Sequence, residues 1–394
     1  MSEFGSLAQN NSNQFGEAVA LQDQRFMRQA LALAEQSLGL ASPNPPVGCV
    51  IVRDNEVVGQ GWHEYSARDH AEVRALAEAG SRARGAAVYV TLEPCVHYGR
   101  TPPCASALIA AGVGRVVIGQ LDPNPIVSGK GIGELRSVGI EVEHGVLQAE
   151  AARIIEPFAC HVTTGLPLVV SKVGMSLDGR IAAAGHAGGW ITSDEGRVFG
   201  QRLRLQLEAL LVGVGTVLAD DPRLTYRGKI LKARPLIIVV LDSRLRTPPS
   251  ARIFQADQVS HVLIFCRPDA PLERRRDLEA RGAEVLPVAH CQTGLDLNHV
   301  LRELGDRKVL GLLCEGGSAV HWSFLSANLV DKFFFVIAPI VLGGEHAVPC
   351  VGGLGYASAD EAPRFRILNS FSVGPDLVLE AYPSYSRSIL SPWS

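Results

Sequence analysis

The chain has 394 residues, of which 47% are hydrophobic and 20% charged, a globular composition that excludes a disordered or fibrous protein. The formal charge of −3 gives no reason to expect a nucleic-acid or membrane-surface partner. That length exceeds one typical hydrophobic core, so two domains are expected.

The first 22 residues, within "MSEFGSLAQNNSNQFGEAVA" and just beyond, are polar and read as a flexible lead. They lack the basic start and apolar run of a secretory signal, and no apolar run elsewhere is long enough to span a bilayer. Eight scattered cysteines form no disulfide framework, so a reducing cytoplasmic compartment is expected. "DQRFMRQALALAEQSLG" has helical spacing and a glycine stop. "PNPPVGCVIVRDNEVVGQGWH" reads as a hairpin turning at Asp54–Asn55. Helix "HAEVRALAEAG", strand "AAVYVTLEP", helix "ASALIAAGV" and strand "RVVIGQLDP" follow. This order favours an α/β domain with parallel strands over residues 23–150.

Residues 151–166 read as a short helical stretch that gives way to a linker. A second α/β domain is expected over 167–383. Its strands are "LVVSKVGMSLDGRIA", "ALLVGVGTVLAD", "PLIIVVLDS", "HVLIFC", "VLGLLCEGG" and "KFFFVIAPIVLGG". Its helices are "SDEGRVFGQRLRLQ", a stretch around "LNHVLRELGDR", and "SAVHWSFLSANL". The Ser-rich end, 384–394, reads as a frayed tail.

The densest chemistry lies in "HAEVRALAEAGSRARGAAVYVTLEPCVHYGRTPPC", residues 70–104. His70, Cys95 and Cys104 offer the imidazole and thiolates that bind zinc, and a catalytic zinc site keeps one position for water. Glu72 is not needed as a ligand and can carry the proton from that water to a leaving amine. A structural zinc site would instead want a fourth protein ligand, and His97 is the sequence candidate.

His-x-Glu followed by Pro-Cys is the pattern of zinc nucleobase deaminases, but eight residues, "VHYGRTPP", separate Cys95 from Cys104. With "PNPPVG", "HAEVRAL", "EPCVHYGRTPPC" and "DPNPIVSGKG" in order, the segment from 25 to about 150 resembles the riboflavin-biosynthesis bifunctional deaminase–reductases. The resemblance implies a cytidine-deaminase-like domain in which Asn44 meets the pyrimidinone ring. It implies contacts from His63, Arg100, Thr101, Asp122 and Asn124 to a sugar-phosphate arm. Ala67 and Asp69 stand where the family carries Gly and Pro, which bears on the shape of the loop entering the site.

The second half lacks a GxGxxG fingerprint, and its glycine pairs at 316–317 and 343–344 read equally as turns or as phosphate cradles. Taken in order, "SLDGRIA", "WITS", "VGVGTVLADDPRLTYR", "EGGSAV" and "IAPIVLGG" resemble the reductase half of the same enzymes. That implies a dihydrofolate-reductase-like domain using NADPH. By resemblance, Trp190, Thr216, Asp220, Ser243, Gly317, Ser318, Ala319, Val320, His321 and Trp322 hold the cofactor. Lys172, Gly188, Arg204, Leu224, Arg227 and Glu315 face the substrate, with Arg204 and Arg227 suited to clamp a phosphate. Gly188 replaces the family's common Ser.

The resemblance therefore implies a zinc aminohydrolase joined to an NADPH-dependent reductase acting on small phosphorylated pyrimidines, with assembly as a homo-oligomer. Two other readings stay open from residues alone: a zinc deaminase of nucleosides or RNA with a second domain that only binds, and a zinc-stapled scaffold without activity.

Overall fold

The computed structural model describes residues 3–185, 189–232, 234–255, 261–291 and 294–388, with the side chains of 3–18 and 291 excepted. The chain divides into two compact units, Met1–Thr163 and Thr164–Ser394.

The first unit is a sheet between two helical layers. Helix α1 (Glu3–Gln36) leads into the hairpin of β1 (Gly48–Arg53) and β2 (Glu56–Trp62). Asp54 and Asn55 turn it with φ of 51° and 64°, the left-handed pair that suits a tight two-residue hairpin. Then follow α2 (Ala71–Ala79), β3 (Ala87–Leu92), α3 (Cys104–Ala111), β4 (Arg115–Gln120), α4 (Lys130–Ser137), β5 (Glu141–His144), α5 (Gln148–Ile154) and α6 (Glu156–Thr164). The sheet order is β2-β1-β3-β4-β5, with β3, β4 and β5 parallel. Strand alternation sends Val88, Val90 and Ile118 to the cluster with Ala71, Ala75 and Leu108, while Tyr89 and Val117 join Phe26, Met27 and Ala30 of α1.

Two expectations for this unit are corrected. The flexible lead over 1–22 is helical from Glu3 onward. Asn, Gln and Ser have middling helix propensity, and no proline precedes Pro43, so nothing in the segment breaks the helix. The stretch over 151–166, read as a short helix giving way to a linker, has that helix as α5 and a second helix, α6, in place of most of the linker. Ala151, Ala152, Ile154, Ala159 and Cys160 are buried, so the stretch folds because it has apolar surface to hide.

The second unit is built on β6 (Leu168–Ser176) and contains β7 (Arg180–Ala182), α7 (Asp194–Gln206), β8 (Ala209–Gly213), α8 (Val214–Asp220), β9 (Ile237–Leu241) and β10 (Val262–Cys266). It continues through α9 (Leu272–Glu279), β11 (Ala283–Pro287), β12 (His290–Cys291), β13 (Gly294–Leu295), α10 (Leu297–Asp306) and β14 (Gly311–Cys314). It ends with α11 (Ser318–Ser326), β15 (Lys332–Ala338), β16 (Val348–Pro349), β17 (Phe365–Val373) and β18 (Asp376–Pro383). Nine strands pair as β11-β10-β9-β8-β14-β6-β15-β18-β17, parallel except for β18, which runs antiparallel to β15 and β17.

The run "ALLVGVGTVLAD", expected as one strand, is strand only to Gly213 and then helix α8. Val and Thr favour a strand locally, but the chain leaves the sheet at Gly213 and tertiary context decides. The frayed tail is also corrected in part. Arg387 pairs with the buried Asp331 at 2.5 Å and Ser388 is buried, which ties the chain down to that point; residues 389–394 lie outside the described residues.

Candidate functional site

In the first unit the chemistry collects where β3 and β4 end, beside the starts of α2 and α3. This is the carboxyl edge at which parallel strands present ligand sites. His70 caps the start of α2, Glu72 lies in its first turn, and Cys104 opens α3 as its sequence suggests. Cys95 follows β3 by three residues. His70 Nδ1 is 3.2 Å from Cys104 Sγ and 3.6 Å from Cys95 Sγ. All three ligand atoms lie within 4.8 Å of one another. Zinc–nitrogen and zinc–sulfur bonds of about 2.0 and 2.3 Å in a tetrahedron put their ends about 3.5 Å apart, so the donor set fits zinc.

Among the described residues no fourth His, Cys, Asp or Glu joins this cluster, and His97 is exposed. The structural-site alternative thereby loses its fourth ligand. Hydrogen bonds from Cys104 and His70 hold the Cys95 thiol well below its ordinary pKa, while the bond to Cys95 together with burial raises that of Cys104. The backbone N–H of Cys104 also donates to Cys95 Sγ at 3.4 Å. Glu72 is 4% exposed, and burial raises its carboxyl above the usual range. A buried carboxyl beside the ligands, uncommitted to an ion pair among the described residues, is free to give and take a proton.

Asn44 and His63 form a directed pair. His63 Nδ1 lies 3.1 Å from the carbonyl of Asp69, which can only accept, so Nδ1 carries the proton. Nε2 is then an acceptor, and Asn44 Nδ2 donates to it at 3.0 Å. Asn44 Oδ1 is left as an acceptor with no protein partner among the described residues. His63 is 3% exposed, with both ring nitrogens engaged by Asn44 and the Asp69 carbonyl. Burial lowers its pKa, and the charges of His70, Arg100 and Arg74 act in the same direction. The contact from Asp69 is made by its backbone carbonyl, which any residue at that position offers.

Arg100 is exposed, stacks over Tyr65 at 4.4 Å and donates to the Tyr65 carbonyl at 3.2 Å. Thr101 is half-buried. Asp122 accepts from the Asn124 N–H at 2.8 Å, and Asn124 Oδ1 from the Ile126 N–H at 3.1 Å. Burial lifts the Asp122 carboxyl to about 6.

The second unit gathers its residues at the same edge of its own sheet. Glu315 follows β14, and its Oε2 accepts from Arg204 Nε at 3.1 Å and Nη2 at 2.5 Å. Arg204 Nη1 donates to the Thr225 carbonyl at 3.0 Å. Burial raises the Glu315 carboxyl, but the charges of Arg204 and Lys172 outweigh this and leave it below its usual value. Lys172 lies on β6 close by: a Cβ placed on Gly200 of α7 would be 3.6 Å from Glu315 Oε1 and 3.7 Å from Lys172 Nζ. Arg204 is therefore spent mostly on Glu315 and Thr225. Arg227 is exposed, with only its backbone N–H held, by Gln201 at 2.8 Å. Leu224 is buried with φ of 52°, and Gly188 lies outside the described residues.

Sequence reasoning missed Lys232. Its ammonium donates to the carbonyls of Arg204, Leu205 and Leu207 at 2.7, 2.6 and 2.7 Å, closing the C-terminal end of α7. It pins the loop after α8 to the helix that carries Arg204. No motif signals this, since its partners are main-chain atoms.

For a nucleotide cofactor, the start of α11 is suited. Gly317 caps it without a side-chain bond, and Ser318 Oγ is buried with no protein partner among the described residues. Gly316 is required for the close approach of Val320, into which any side chain would run. The N-terminal turn of a helix suits an anion. Thr216 Oγ1 comes within 3.7 Å of a Cβ placed on Gly317, and Asp220 is exposed on α8. Ser243, Ala319 and Val320 line a cavity of about 120 Å³ with Leu241, Leu295 and Leu297. Trp190 is 74% exposed under Arg197, and Trp322 packs against Tyr356. His321 is fully buried and packs against Phe333.

The glycine pair 343–344 resolves as a turn. Asp178 accepts from the Leu342 and Gly343 N–H groups at 3.0 and 2.8 Å, so a carboxylate of the chain occupies what a phosphate would need.

The two sites define a zinc-dependent deaminase joined to a reductase. Residues 20–120 match the cytidine and deoxycytidylate deaminase zinc-binding region, and residues 167–379 match the RibD C-terminal domain. The chain is 40% identical over 370 residues to the riboflavin biosynthesis protein RibD of Escherichia coli K12, covering 91% of this chain and 99% of that protein. It is 39% identical over 357 residues to RibD of Aquifex aeolicus, covering 91% and 97%. A solved Acinetobacter baumannii RibD superposes with a TM-score of 0.81 at 37% identity over 92% of this chain and 99% of the other. The chain belongs to the RibD family of bifunctional riboflavin-biosynthesis enzymes. It carries the zinc-binding deaminase and the NADPH-using reductase of that family.

Proposed function

We propose that the deaminase unit acts on 2,5-diamino-6-ribosylamino-4(3H)-pyrimidinone 5-phosphate and the reductase unit on the resulting uracil. A Thermotoga maritima structure described as a diaminohydroxyphosphoribosylaminopyrimidine deaminase/5-amino-6-(5-phosphoribosylamino)uracil reductase supports this, with a TM-score of 0.80 and 34% identity over 92% of this chain. The observation that carries the reading is the three-ligand cluster with buried Glu72 beside it, on one chain with a reductase unit.

When bound, zinc on His70, Cys95 and Cys104 supplies acidification of a water, and NADPH supplies a hydride. Water adds at C2 and ammonia leaves, with Glu72 moving the proton from the one to the other. Asn44 Oδ1, aimed by His63, accepts from an N–H of the ring and selects its edge. Arg100, Thr101, Asp122 and Asn124 take the ribose phosphate. In the second unit the opened ribosyl carbon accepts hydride and a proton to become ribityl. There Lys172, Arg204 with Glu315, Leu224 and Arg227 surround the substrate. Trp190, Thr216, Asp220, Ser243 and residues 317–322 hold the cofactor, with His321 supporting from the core. A homo-oligomer and a cytoplasmic setting complete the proposal. No described helix is long and apolar enough to cross a membrane.

The test offers zinc-loaded protein the diaminopyrimidinone phosphate, cytidine and a single-stranded oligonucleotide in parallel. Ammonia is expected from the first alone. Release from cytidine or the oligonucleotide, with none from the first, identifies a nucleoside or RNA deaminase instead.

A further inference from the structure

Glu93 stands at the end of β3, two residues before the zinc ligand Cys95, and is 3% exposed. It forms no ion pair among the described residues. Its carboxylate is filled by four backbone N–H groups. Oε2 accepts from Asp122 at 3.2 Å and Gly129 at 3.0 Å; Oε1 accepts from Gly131 at 2.9 Å and Ile132 at 3.3 Å. Three of these donors sit at the start of α4, whose cap residue Gly129 offers no side chain, so Glu93 serves as a cap from a distant strand. Gly131 lies so close to the Pro94 carbonyl that any Cβ would collide with it. The start of α4 is thereby occupied by a carboxylate of the chain and is not open to a phosphate.

The segment clasped in this way is Asp122 to Ile132, "DPNPIVSGKGI". At one end are Asp122 and Asn124, each with one side-chain oxygen committed to a local N–H. Asp122 Oδ2 and Asn124 Nδ2 have no protein partner among the described residues. Main-chain pairing of β3 with β4, extended by the Glu93 N–H on the Gln120 carbonyl at 2.9 Å, brings the two loops side by side; past the strand ends, the Glu93 carboxylate holds both the Asp122 N–H and the α4 start. We infer that Glu93 is a positioning residue. It fixes the distance between the zinc ligands and the Asp122–Asn124 loop, and so sets how tightly the pyrimidine's ribose phosphate is held. This rests on the substrate reading above.

The experiment compares Glu93→Gln and Glu93→Asp with the unsubstituted protein, each loaded with zinc. Gln keeps the size but turns an NH₂ toward two of the four N–H donors. Asp keeps the charge but is one methylene short. For Glu93→Gln the KM for the diaminopyrimidinone phosphate rises about 10- to 100-fold, since small misplacements carry effects of that order. The kcat changes less than the KM, zinc stays near one per chain, and NADPH oxidation with the deaminated substrate is unaltered. Glu93→Asp lies between Gln and the unsubstituted protein. Amide hydrogen exchange, which needs no substrate, speeds up over residues 122–132 but not over α2 or α3. A zinc-loaded Glu93→Gln protein with unchanged KM overturns the inference, as does unchanged exchange over 122–132. Absence of ammonia from the unsubstituted protein strikes the substrate reading instead and leaves the exchange result to decide the clasp.

Discussion

Replacing Glu72 by Gln lowers ammonia release by about 10²- to 10⁴-fold, the usual contribution of a positioned acid–base group. Zinc content and NADPH oxidation with the deaminated substrate remain at the level of the unsubstituted protein. The amide matches the carboxyl in shape and so preserves the packing of the buried first turn of α2, where Glu72 is 4% exposed. His70, Cys95 and Cys104 keep all three ligand atoms. The measurement pairs metal analysis with separate assays of the two steps. A Glu72→Gln protein that binds zinc and deaminates at full rate removes Glu72 from the chemistry.

The second large effect falls on the other unit. Arg204→Lys cannot reproduce the fork that gives two bonds to Glu315 and a third to the Thr225 carbonyl. Both side chains are largely buried, at 14% and 13% exposure, so losing bonds of the fork, with a positive charge still present, costs about 2 kcal/mol of stability in that unit. NADPH oxidation falls about 100-fold in kcat/KM by the same loss of placement, while ammonia release is untouched. The folded-state pKa of Glu315 is depressed, so its contribution is full above the ordinary carboxylate pKa and is lost as pH falls through the lower folded value. Calorimetry across that acid range shows a smaller loss in Arg204→Lys than in the unsubstituted protein. Equal acid sensitivity in the two would mean the pair does not stabilise the unit.

What could be read from the sequence divides along physical lines. The zinc ligands were legible because imidazole and thiolates beside local turns leave few other uses for the pattern. The Asp54–Asn55 hairpin was legible because two left-handed residues in a row demand such residues. The reductase contacts stood on resemblance, and geometry redistributes them. Arg204 pairs with Glu315 and His321 packs in the core against Phe333; in the deaminase unit His63 likewise bonds Asn44. Glu93 and Lys232 were not legible at all. Each spends its charge on main-chain atoms far away in sequence, and main-chain partners leave no trace in residue identity. A short helix was legible at α5, but α6 was read as linker because so short a helix gains its stability from what it covers.

The central claim is that one chain deaminates a pyrimidine and then reduces what it has made. The direct measurement supplies the diaminopyrimidinone phosphate with NADPH and follows ammonia and nicotinamide absorbance in one sample. The account predicts that NADPH oxidation lags ammonia release and ends at one equivalent per ammonia. Ammonia without NADPH oxidation, or oxidation before any ammonia appears, contradicts it.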